Sequence, residues 1–409
     1  MRLTRLSPTL HLSRLTWTML MLFAPVRGLS GQEPAEVQQE AAWIDMTAEF
    51  EGAIIFMEVS VETAGPYWFI LDTGAPTSYM DKSLAESLGL EVLSRSIERD
   101  SNRLTSFLKN PVHLTAKGFN HVASGVIVGE LDRWFSPLVG RSVTGLLGVD
   151  FVRENVIEID YQQERVRLCS PEGFRYQGEG TVIPAILSTY VWVNVLLTAP
   201  GGQATGVMAI LDTGYDGALS MTRRQAQALE IDSGESTTVE ASTQSLYAVG
   251  VDQYFRLNAL ELARFKLAAV PIGVRDDALI AGAPDTFLGA DLLARFTLIL
   301  DLKRQRIILE PNDEFASPFR TDCTGMGVAA QGEQFDRFVV KVVHDNSPGS
   351  EAGFKVGDII VMVEGLPASE YTVATMRELV WESLGEELKF QVLRGEETLD
   401  LVLVPRERY

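Results

Sequence analysis

The sequence of 409 residues contains few of the cysteines and histidines on which disulfide-linked and metal-bound folds depend. It contains only 2 cysteines and 4 histidines. Two cysteines exclude a disulfide scaffold and any multi-cysteine zinc module. The histidines are scattered along the chain, and no His-Glu-x-x-His motif occurs, so the sequence contains no His-rich metal cluster.

Positive charge is also scarce. Lys and Arg total 35 against 55 Asp and Glu, and the formal net charge is -20 at pH 7. Nucleic acid and anionic lipid repel an acidic protein, so we expect neither as a partner. Apolar residues make up 46% and charged residues 22%, a balance that excludes wholesale disorder, collagen and coiled coil. At roughly 150 residues per domain, the length predicts between two and three domains.

The first 30 residues contain no acidic residue, and four arginines surround a short apolar stretch from Leu15 to Ala24. A basic start followed by a short apolar core is typical of a secretory signal peptide, because roughly 20 apolar residues are needed to span a membrane. We therefore predict a signal peptide over residues 1–30 and an exported protein, periplasmic or extracellular. An uncleaved anchor and a misread start codon are the alternatives.

The chain contains an internal repeat of three blocks in the same order. ILDTGA at residues 70–75 matches ILDTGY at residues 210–215, an offset of 140. GLLGVDFV from Gly145 matches TFLGADLL, and VIEIDYQQERVRL from Val156 matches TLILDLKRQRIIL, both at an offset of 141. Chance agreement of three blocks at nearly constant spacing is improbable. The sequence therefore predicts two copies of one unit, residues 44–175 and 176–312.

Each copy is predicted to be rich in strands. Asp-Thr-Gly follows an apolar strand, a short helix comes next, and a hairpin closes the copy. Residues 180–211 carry no charge, but Pro and Gly interrupt them and Val, Ile, Tyr and Trp are frequent there. That composition predicts buried strands rather than a membrane-spanning helix.

The two Asp-Thr-Gly copies predict a pair of carboxylates. If Asp72 and Asp212 face each other at hydrogen-bond distance, ionisation of both would place two negative charges side by side. The two carboxyl groups therefore share one proton. The ionised member takes a proton from a water that attacks an amide carbon, and the protonated member stabilises the oxyanion and helps protonate the departing nitrogen. A single Asp-Thr-Gly would be explained more simply as a turn at the end of a strand. Two copies inside one repeat favour a catalytic pair.

The residues beside each carboxylate are predicted to support it. Thr73 and Thr213 would bury their hydroxyls next to the opposing loop, where each needs a partner. Glycine lets the backbone pass close to a carboxylate without a Cβ, so that amide N–H groups can bind its oxygens; this is the predicted part of Gly74 and Gly214.

Residues 44–312 resemble the retropepsin-like aspartic proteases, in the fused form with both lobes in one chain. The family's apolar-apolar-Asp-Thr-Gly and apolar-apolar-Gly motifs are both present twice, at residues 70–74, 146–148, 210–214 and 287–289. In this family the shared proton is the standard example of such coupling. The resemblance implies a mainly β, two-lobed acid-protease β-barrel fold with internal duplication.

The resemblance also implies a function. It places Asp72 and Asp212 as catalytic residues of an aspartic endopeptidase that acts on polypeptide substrates without a metal or cofactor. The active site is complete in one chain, so oligomerisation is not required for it. The family covers its cleft with hairpin flaps, which by position lie near Ser94–Leu108 and Ser233–Tyr254.

One position departs from the family pattern. A small residue often follows Asp-Thr-Gly, and Ala75 fits this preference, but the second copy has Tyr215. A large ring there reshapes a subsite or partly fills the cleft. Two functions therefore remain open, an aspartic endopeptidase and a catalytically inactive peptide-binding scaffold of the same fold.

Residues 313–409 begin with a polar, Pro-containing linker and continue with a segment that resembles a PDZ domain of the kind appended to bacterial secreted proteases. The resemblance rests mainly on Ser347-Pro348, Ala352-Gly353 and Gly357-Asp358-Ile359-Ile360. It implies an α+β fold that adds a C-terminal peptide as an extra strand, for substrate recruitment or regulation. The candidate peptide-binding residues are Gly325, Met326, Gly327 and Val328. Alternatively, this edge is occupied within the molecule or braces the protease lobes.

The two cysteines, Cys169 and Cys323, follow the first copy and precede the PDZ-like core. In an exported protein they either pair and tie the C-terminal part to the lobes, or remain two buried thiols.

Overall fold

The computed structural model describes residues 42–96, 104–231, 239–244, 249–275 and 284–409. The predicted signal peptide, residues 1–30, lies outside the described residues. The described chain is mainly β with short helices, which confirms the predicted fold class. In this part of the chain we find no helix with both the length and the apolar character needed to cross a membrane.

The secondary structure follows the order of the repeats, which we call lobe one (residues 44–175) and lobe two (176–312). The strands of lobe one are β1 (Ile44–Asp45), β2 (Ala48–Glu51), β3 (Ile54–Val61), β4 (Ala64–Leu71), β5 (Tyr79–Asp81), β6 (Val92–Ser96), β7 (Leu104–Leu108), β8 (Val112–Ala116), β9 (Phe119–Ala123), β10 (Ile127–Gly129), β11 (Gly145–Leu147), β12 (Val156–Asp160) and β13 (Arg165–Cys169). Its helices are α1 (Lys82–Ser87), α2 (Leu131–Val139) and α3 (Val149–Val152).

Lobe two and the C-terminal module (residues 313–409) complete the chain. The strands of lobe two are β14 (Thr181–Pro184), β15 (Ile186–Leu187), β16 (Val191–Thr198), β17 (Ala204–Asp212), β18 (Leu219–Thr222), β19 (Val239–Gln244), β20 (Val249–Leu262), β21 (Phe265–Arg275), β22 (Thr286–Gly289), β23 (Phe296–Asp301) and β24 (Arg306–Pro311), with helices α4 (Arg223–Ala228) and α5 (Ala290–Leu293). The module has strands β25 (Met326–Gln331), β26 (Arg337–Val343), β27 (Ile359–Val363), β28 (Leu366–Pro367), β29 (Leu388–Arg394) and β30 (Glu397–Leu403), with helices α6 (Pro348–Glu351) and α7 (Val373–Glu382). Single 3-10 turns lie at Leu302–Arg304, Asp313–Ala316 and Ala368–Glu370.

The uncharged stretch at residues 180–211 forms β14 to β17, as its composition predicted. In β16 the residues alternate between buried and partly exposed, the period that a strand with one face on a core requires.

Each lobe is built on one large sheet. The sheet of lobe one runs β6-β7-β10-β5-β11-β4-β3-β8-β9, and that of lobe two runs β15-β16-β17-β22-β18-β21-β20-β19, closed by a further pairing of β16 with β20. The same parallel pairs recur in both: β4 with β11 corresponds to β17 with β22, and β5 with β10 corresponds to β18 with β21. The internal duplication is therefore present in the strand pairing as well as in the sequence.

A third sheet joins the lobes. Its order is β1-β13-β12-β23-β24-β14, so the predicted closing hairpin of each repeat lies side by side with the other. The two central strands pair antiparallel, with Ile157 opposite Leu300. Both of these side chains are fully buried, and burial of paired apolar strands stabilises the contact between the repeats.

The module forms a separate sheet in the order β25-β26-β27-β29-β30, which leaves β25 at one edge. Helix α7 begins after Thr372, whose hydroxyl accepts from the backbone N–H of Thr375, a favourable N-cap. The fully buried Val340 and Val392 belong to the module's own apolar cluster. The module therefore has its own core.

The polar linker at the start of the module is packed against lobe two. The Arg295 guanidinium donates to the carbonyl oxygens of Glu314 (3.0 Å) and Pro318 (3.2 Å) and lies 3.6 Å from the ring centroid of Phe319. Phe319 is 2% exposed and is part of the core shared by the lobes. The linker is therefore an ordered part of the molecule.

Both cysteines are buried free thiols, so the disulfide alternative is not formed. Burial raises the pKa of Cys169 to about 11 and that of Cys323 to about 12. Both thiols are therefore protonated and unreactive at neutral pH.

Helix α2 was missed by the sequence patterns. It contains Pro137, and the side chain of its N-cap residue, Glu130, makes no capping hydrogen bond, so the usual helix signals are weak. Leu131, Phe135 and Val139 lie four residues apart and pack in one apolar cluster with Ile54 and Tyr79. Tertiary packing of this apolar face stabilises the helix.

Candidate active site

The two loops bring Asp72 and Asp212 together. Asp72 directly follows β4, Asp212 ends β17, and their carboxyl groups are hydrogen-bonded to each other. A Cβ placed on Gly74 would lie 2.3 Å from Cγ of Asp212, and one on Gly214 would lie 2.5 Å from Cγ of Asp72. Each glycine therefore leaves room that the opposing carboxyl group needs.

The threonines beside the carboxyl groups connect the two loops by four reciprocal hydrogen bonds. Thr73 donates through Oγ1 to the carbonyl of Leu211 (2.8 Å), and Thr213 donates through Oγ1 to the carbonyl of Leu71 (2.6 Å). Each Oγ1 also accepts from the backbone N–H of the other threonine at 3.1 Å. Both threonines are fully buried, so this network fixes the position of the loops relative to each other.

Backbone amides of each loop hold its own carboxylate. Oδ1 of Asp72 accepts from the N–H groups of Gly74 (2.8 Å) and Ala75 (3.1 Å). Oδ1 of Asp212 accepts from the N–H of Gly214 at 3.0 Å, and the Asp212 carboxyl group also accepts from the N–H of Tyr215. The arrangement is nearly symmetric, as two copies of one unit predict.

Burial shifts the acidity of the pair upward. It raises the pKa of Asp72 to about 6 although the amide hydrogen bonds oppose the change. Burial and the charge on Asp72 raise the pKa of Asp212 well above its usual range. The pair therefore holds one proton between two oxygen-rich groups at neutral pH, and neither residue has a fixed role as acid or base.

We expect the raised pKa to lower stability at neutral pH. An unperturbed aspartate ionises near pH 3.8, whereas Asp72 in the folded protein ionises at about 6. Stability that depends on protonated Asp72 is complete below pH 3.8 and is lost as the pH rises to about 6. Asp72→Asn, which does not ionise, should therefore raise the free energy of unfolding by about 1–3 kcal/mol at pH 7 and change it little at pH 3.5.

Chemical denaturation at the two pH values measures this effect. Asp345→Asn is the control, because Asp345 is exposed in the C-terminal module. An equal change at both pH values for Asp72→Asn would contradict the raised pKa.

The predicted apolar-apolar-Gly segments pass next to the loops. Leu147 accepts from the N–H of Asp72 at 2.9 Å. A Cβ on Gly148 would lie 2.5 Å from the carbonyl carbon of Thr77, and one on Gly289 would lie 2.0 Å from the carbonyl oxygen of Gly217. Glycine is required here because no side chain fits between the segment and the loop.

A polar network that sequence analysis missed supports the loop of Asp72. Asp150 accepts from Ser78 Oγ at 2.9 Å and binds His121 Nε2 at 3.0 Å. Ser78 Oγ in turn accepts from the N–H of Gly148 at 3.2 Å. The repeat contained a usable signal, because Asp150 matches Asp291 at the same offset of 141. Burial raises the pKa of Asp291, like that of Asp72, to about 6.

Tyr215, the departure from the family pattern, packs against its own loop. A Cβ on Gly217 would lie 2.3 Å from the Tyr215 hydroxyl, and one on Gly289 would lie 2.4 Å from its ring. Burial first, and then the charges of Asp216 and Asp252, raise the pKa of Tyr215 well above its usual range. The phenol is therefore a neutral group packed beside the loop, and the carboxyl pair forms in its presence.

Antiparallel strand pairs lie at both candidate flap positions. β6 pairs with β7, and β19 pairs with β20, both antiparallel. Residues 97–103, 232–238 and 245–248 of these segments lie outside the described residues.

The candidate peptide-binding residues of the C-terminal module lie at and just before its edge strand. Gly325 has a φ of +68°, and Met326, Gly327 and Val328 begin β25. The N–H of Gly325 donates to Asp322 Oδ1 (2.8 Å), and the N–H of Met326 donates to Thr324 Oγ1 (3.0 Å). Two of the amides that would bind a peptide carboxylate are therefore already bonded within the loop.

Helix α2 of lobe one packs against β25 and α7. The contact continues at the end of α2, where a Cβ on Gly140 would lie 3.1 Å from Cγ2 of Val373. The alternative in which the edge faces another part of the same molecule is therefore the arrangement in this structure.

Two family models match the chain. Residues 57–151 match the aspartyl protease model and residues 324–403 match the PDZ domain model. The first match contains Asp72 and the second contains Gly325 to Val328. The chain therefore carries a retropepsin-like aspartyl protease domain and a C-terminal PDZ domain.

Two individual proteins are similar to parts of the chain. The regulator of sigma-E protease RseP of Escherichia coli (strain K12) is 32% identical over 85 residues, which are 21% of this chain and 18% of that protein. The crystal structure of an aspartic proteinase from Irpex lacteus aligns with a TM-score of 0.42 and 13% identity, over 68% of this chain and all of that chain.

Proposed function

We propose that this chain, with its aspartyl protease domain and C-terminal PDZ domain, is an aspartic endopeptidase that hydrolyses peptide bonds through water activated by Asp72 and Asp212. The observation that carries the proposal is the hydrogen bond between these two carboxyl groups, each held by the backbone amides of its own loop. Two carboxyl groups with raised pKa values provide a base and an acid in one place.

The reaction follows from the shared proton. The ionised carboxylate accepts a proton from water as the water oxygen attacks the carbonyl carbon of a peptide bond. The protonated carboxyl donates a hydrogen bond to the developing oxyanion, and a proton then passes to the departing nitrogen. The amides of Gly74, Ala75 and Gly214 hold the carboxylates in position, and the buried Thr73 and Thr213 keep the two loops together.

The inactive scaffold is the second candidate, and it requires that the Tyr215 ring fill the cleft. A ring that filled the space between the carboxyl groups would prevent water from binding there. Tyr215 instead packs against Gly217 and Gly289, which supports the endopeptidase.

The partners in this proposal are polypeptides. The protease domain acts on polypeptide substrates, and the PDZ domain recruits substrate or regulates cleavage. The basic, then apolar start of the sequence supports export to the periplasm or the extracellular space.

Digestion of a peptide library between pH 4 and 8 tests the endopeptidase. We expect wild type to cleave peptide bonds, and Asp72→Asn and Asp212→Asn each to lower kcat/KM by about 10²–10⁴-fold, because each removes one partner of the proton transfer. Asp345→Asn, far along the chain in an exposed position of the PDZ domain, is the control and should retain wild-type activity. Identical digests from wild type and Asp72→Asn at every pH would overturn the proposal and leave the scaffold.

A further inference from the structure

The PDZ domain is firmly attached to lobe two. The linker before it is held by Arg295, and Phe319 is buried in the core of the lobes. Cys323, only four positions later, is buried in the core of the PDZ domain. The connection from one core to the other is therefore very short.

The end of the described chain adds a second attachment to lobe two. Nε of Arg256 donates to the backbone oxygen of Tyr409 at 2.9 Å. The Tyr409 ring lies 5.7 Å, centroid to centroid, from that of Tyr254. Arg256 and Tyr254 both belong to β20, so this strand of lobe two anchors the residues that follow the last strand of the PDZ domain.

The contact with lobe one is bordered by two clefts. These clefts, of about 500 and about 430 Å³, are open to solvent, and Phe335 of the PDZ domain lines both. Asp132 and Pro137 of α2 line the first, and Gly140 after α2 lines the second. The apolar cluster that contains α2 is also distinct from that of the PDZ domain. A contact between two domains of one chain allows relative motion of the domains unless it is large and hydrophobic.

The same contact covers the free edge of the PDZ sheet. β25 is the edge strand, and α2 packs against both β25 and α7. A peptide that extends the sheet must lie about 4.8 Å from β25 along its length. Helix α2 and such a peptide therefore exclude each other.

We propose that the PDZ domain opens away from lobe one while it stays anchored to lobe two, and that the edge of β25 accepts an extended peptide only in the open state. This inference goes beyond the proposed peptidase activity and does not depend on it. It also links the two parts of the molecule, because α2 packs in the cluster that contains Ala75, the neighbour of the Asp72 loop glycine.

A disulfide across the contact tests the proposal. A Cβ on Gly52 would lie 4.0 Å from Cβ of Ala374 at the start of α7, within the range of about 3.5–4.5 Å that a disulfide requires. The full chain with Gly52→Cys and Ala374→Cys is compared in oxidised and reduced forms. The single variants Gly52→Cys and Ala374→Cys are the controls, since they carry the same substitutions without the crosslink.

The measurement is hydrogen exchange of the backbone amides. We expect exchange in β25 to be slower by about tenfold or more in the oxidised form than in the reduced form, because the crosslink prevents opening. Exchange in β29, which lies between β27 and β30 inside the same sheet, should be equal in both forms. The single variants should exchange equally with and without reductant.

Three results would overturn the proposal. One is equal exchange of β25 in the oxidised and reduced forms. Another is an equal change in β29, which would indicate unfolding of the whole PDZ domain. A second pair, Gly140→Cys with Val373→Cys, would place its Cβ atoms 3.8 Å apart. The third result is that neither pair of cysteines forms a disulfide in the folded protein.

Peptidase assays on the same samples separate this inference from the proposed function. Absence of peptide cleavage in every sample, with β25 exchange that responds to the crosslink, would overturn the peptidase and leave the opening in place. Peptide cleavage together with β25 exchange that is equal in the oxidised and reduced forms would overturn the opening and leave the peptidase in place.

Discussion

Gly74→Ala should lower peptide hydrolysis by about 10²–10⁴-fold, as much as we expect of Asp72→Asn. The added Cβ would lie 2.3 Å from Cγ and 2.4 Å from both carboxyl oxygens of Asp212. The carboxyl group must move away, and the shared hydrogen bond with Asp72 is then lost. The change adds one methyl group and removes no functional atom, so the effect reports the geometry of the pair directly.

Gly214→Ala provides the symmetric test, because its Cβ would lie 2.5 Å from Cγ of Asp72. Gly206→Ala is the matched control, since a Cβ there meets nothing within 4 Å and the residue lies in β17, the strand that ends at Asp212. We expect the two loop variants to retain a folded circular dichroism spectrum and to lose kcat, and the control to retain both. Activity of Gly74→Ala close to that of wild type would show that the carboxyl groups do not need to meet.

Thr213→Val should destabilise the whole protein by about 2–5 kcal/mol. The substitution leaves the carbonyl of Leu71 and the N–H of Thr73 without the bonds that Thr213 Oγ1 makes at 2.6 and 3.1 Å. Each buried polar group that loses its partner costs about 1–3 kcal/mol. Because these bonds connect the two loops, we also expect peptide hydrolysis to fall under conditions in which the variant is still folded.

Thr213→Ser keeps the hydroxyl and is the control; it should lie within about 1 kcal/mol of wild type. Thr73→Val should reproduce the loss by symmetry, since Thr73 Oγ1 makes the equivalent bonds to Leu211 and Thr213. Chemical denaturation measures all three variants. Equal stability of Thr213→Val and Thr213→Ser would contradict a structural role for the hydroxyl.

Much of the fold was predictable because its signals are local or repeated. The uncharged residues 180–211 were predicted to form strands, and β14 to β17 form there. The duplication predicted that Asp72 and Asp212 belong to equivalent loops. Two equivalent loops in a two-fold arrangement face each other, and the structure places the carboxyl groups in that way.

Other features of the site depend on residues that are far apart in sequence. Ser78, His121 and Asp150 form one network, but no spacing rule connects a serine, a histidine and an aspartate from separate strands and loops. Tyr215 was predicted to affect the cleft, yet the direction of its ring depends on the space beside Gly217 and Gly289. Such choices follow from packing around each side chain rather than from the local sequence.

The sequence by itself determined the class of fold, the two copies and the pair of aspartates, because periodicity and repetition are properties of the chain alone. Only the tertiary structure decided that the linker packs on lobe two, that both thiols remain free and that α2 covers the edge of β25. These are contacts between surfaces brought together by folding, and their energies depend on shape and burial that no single segment encodes.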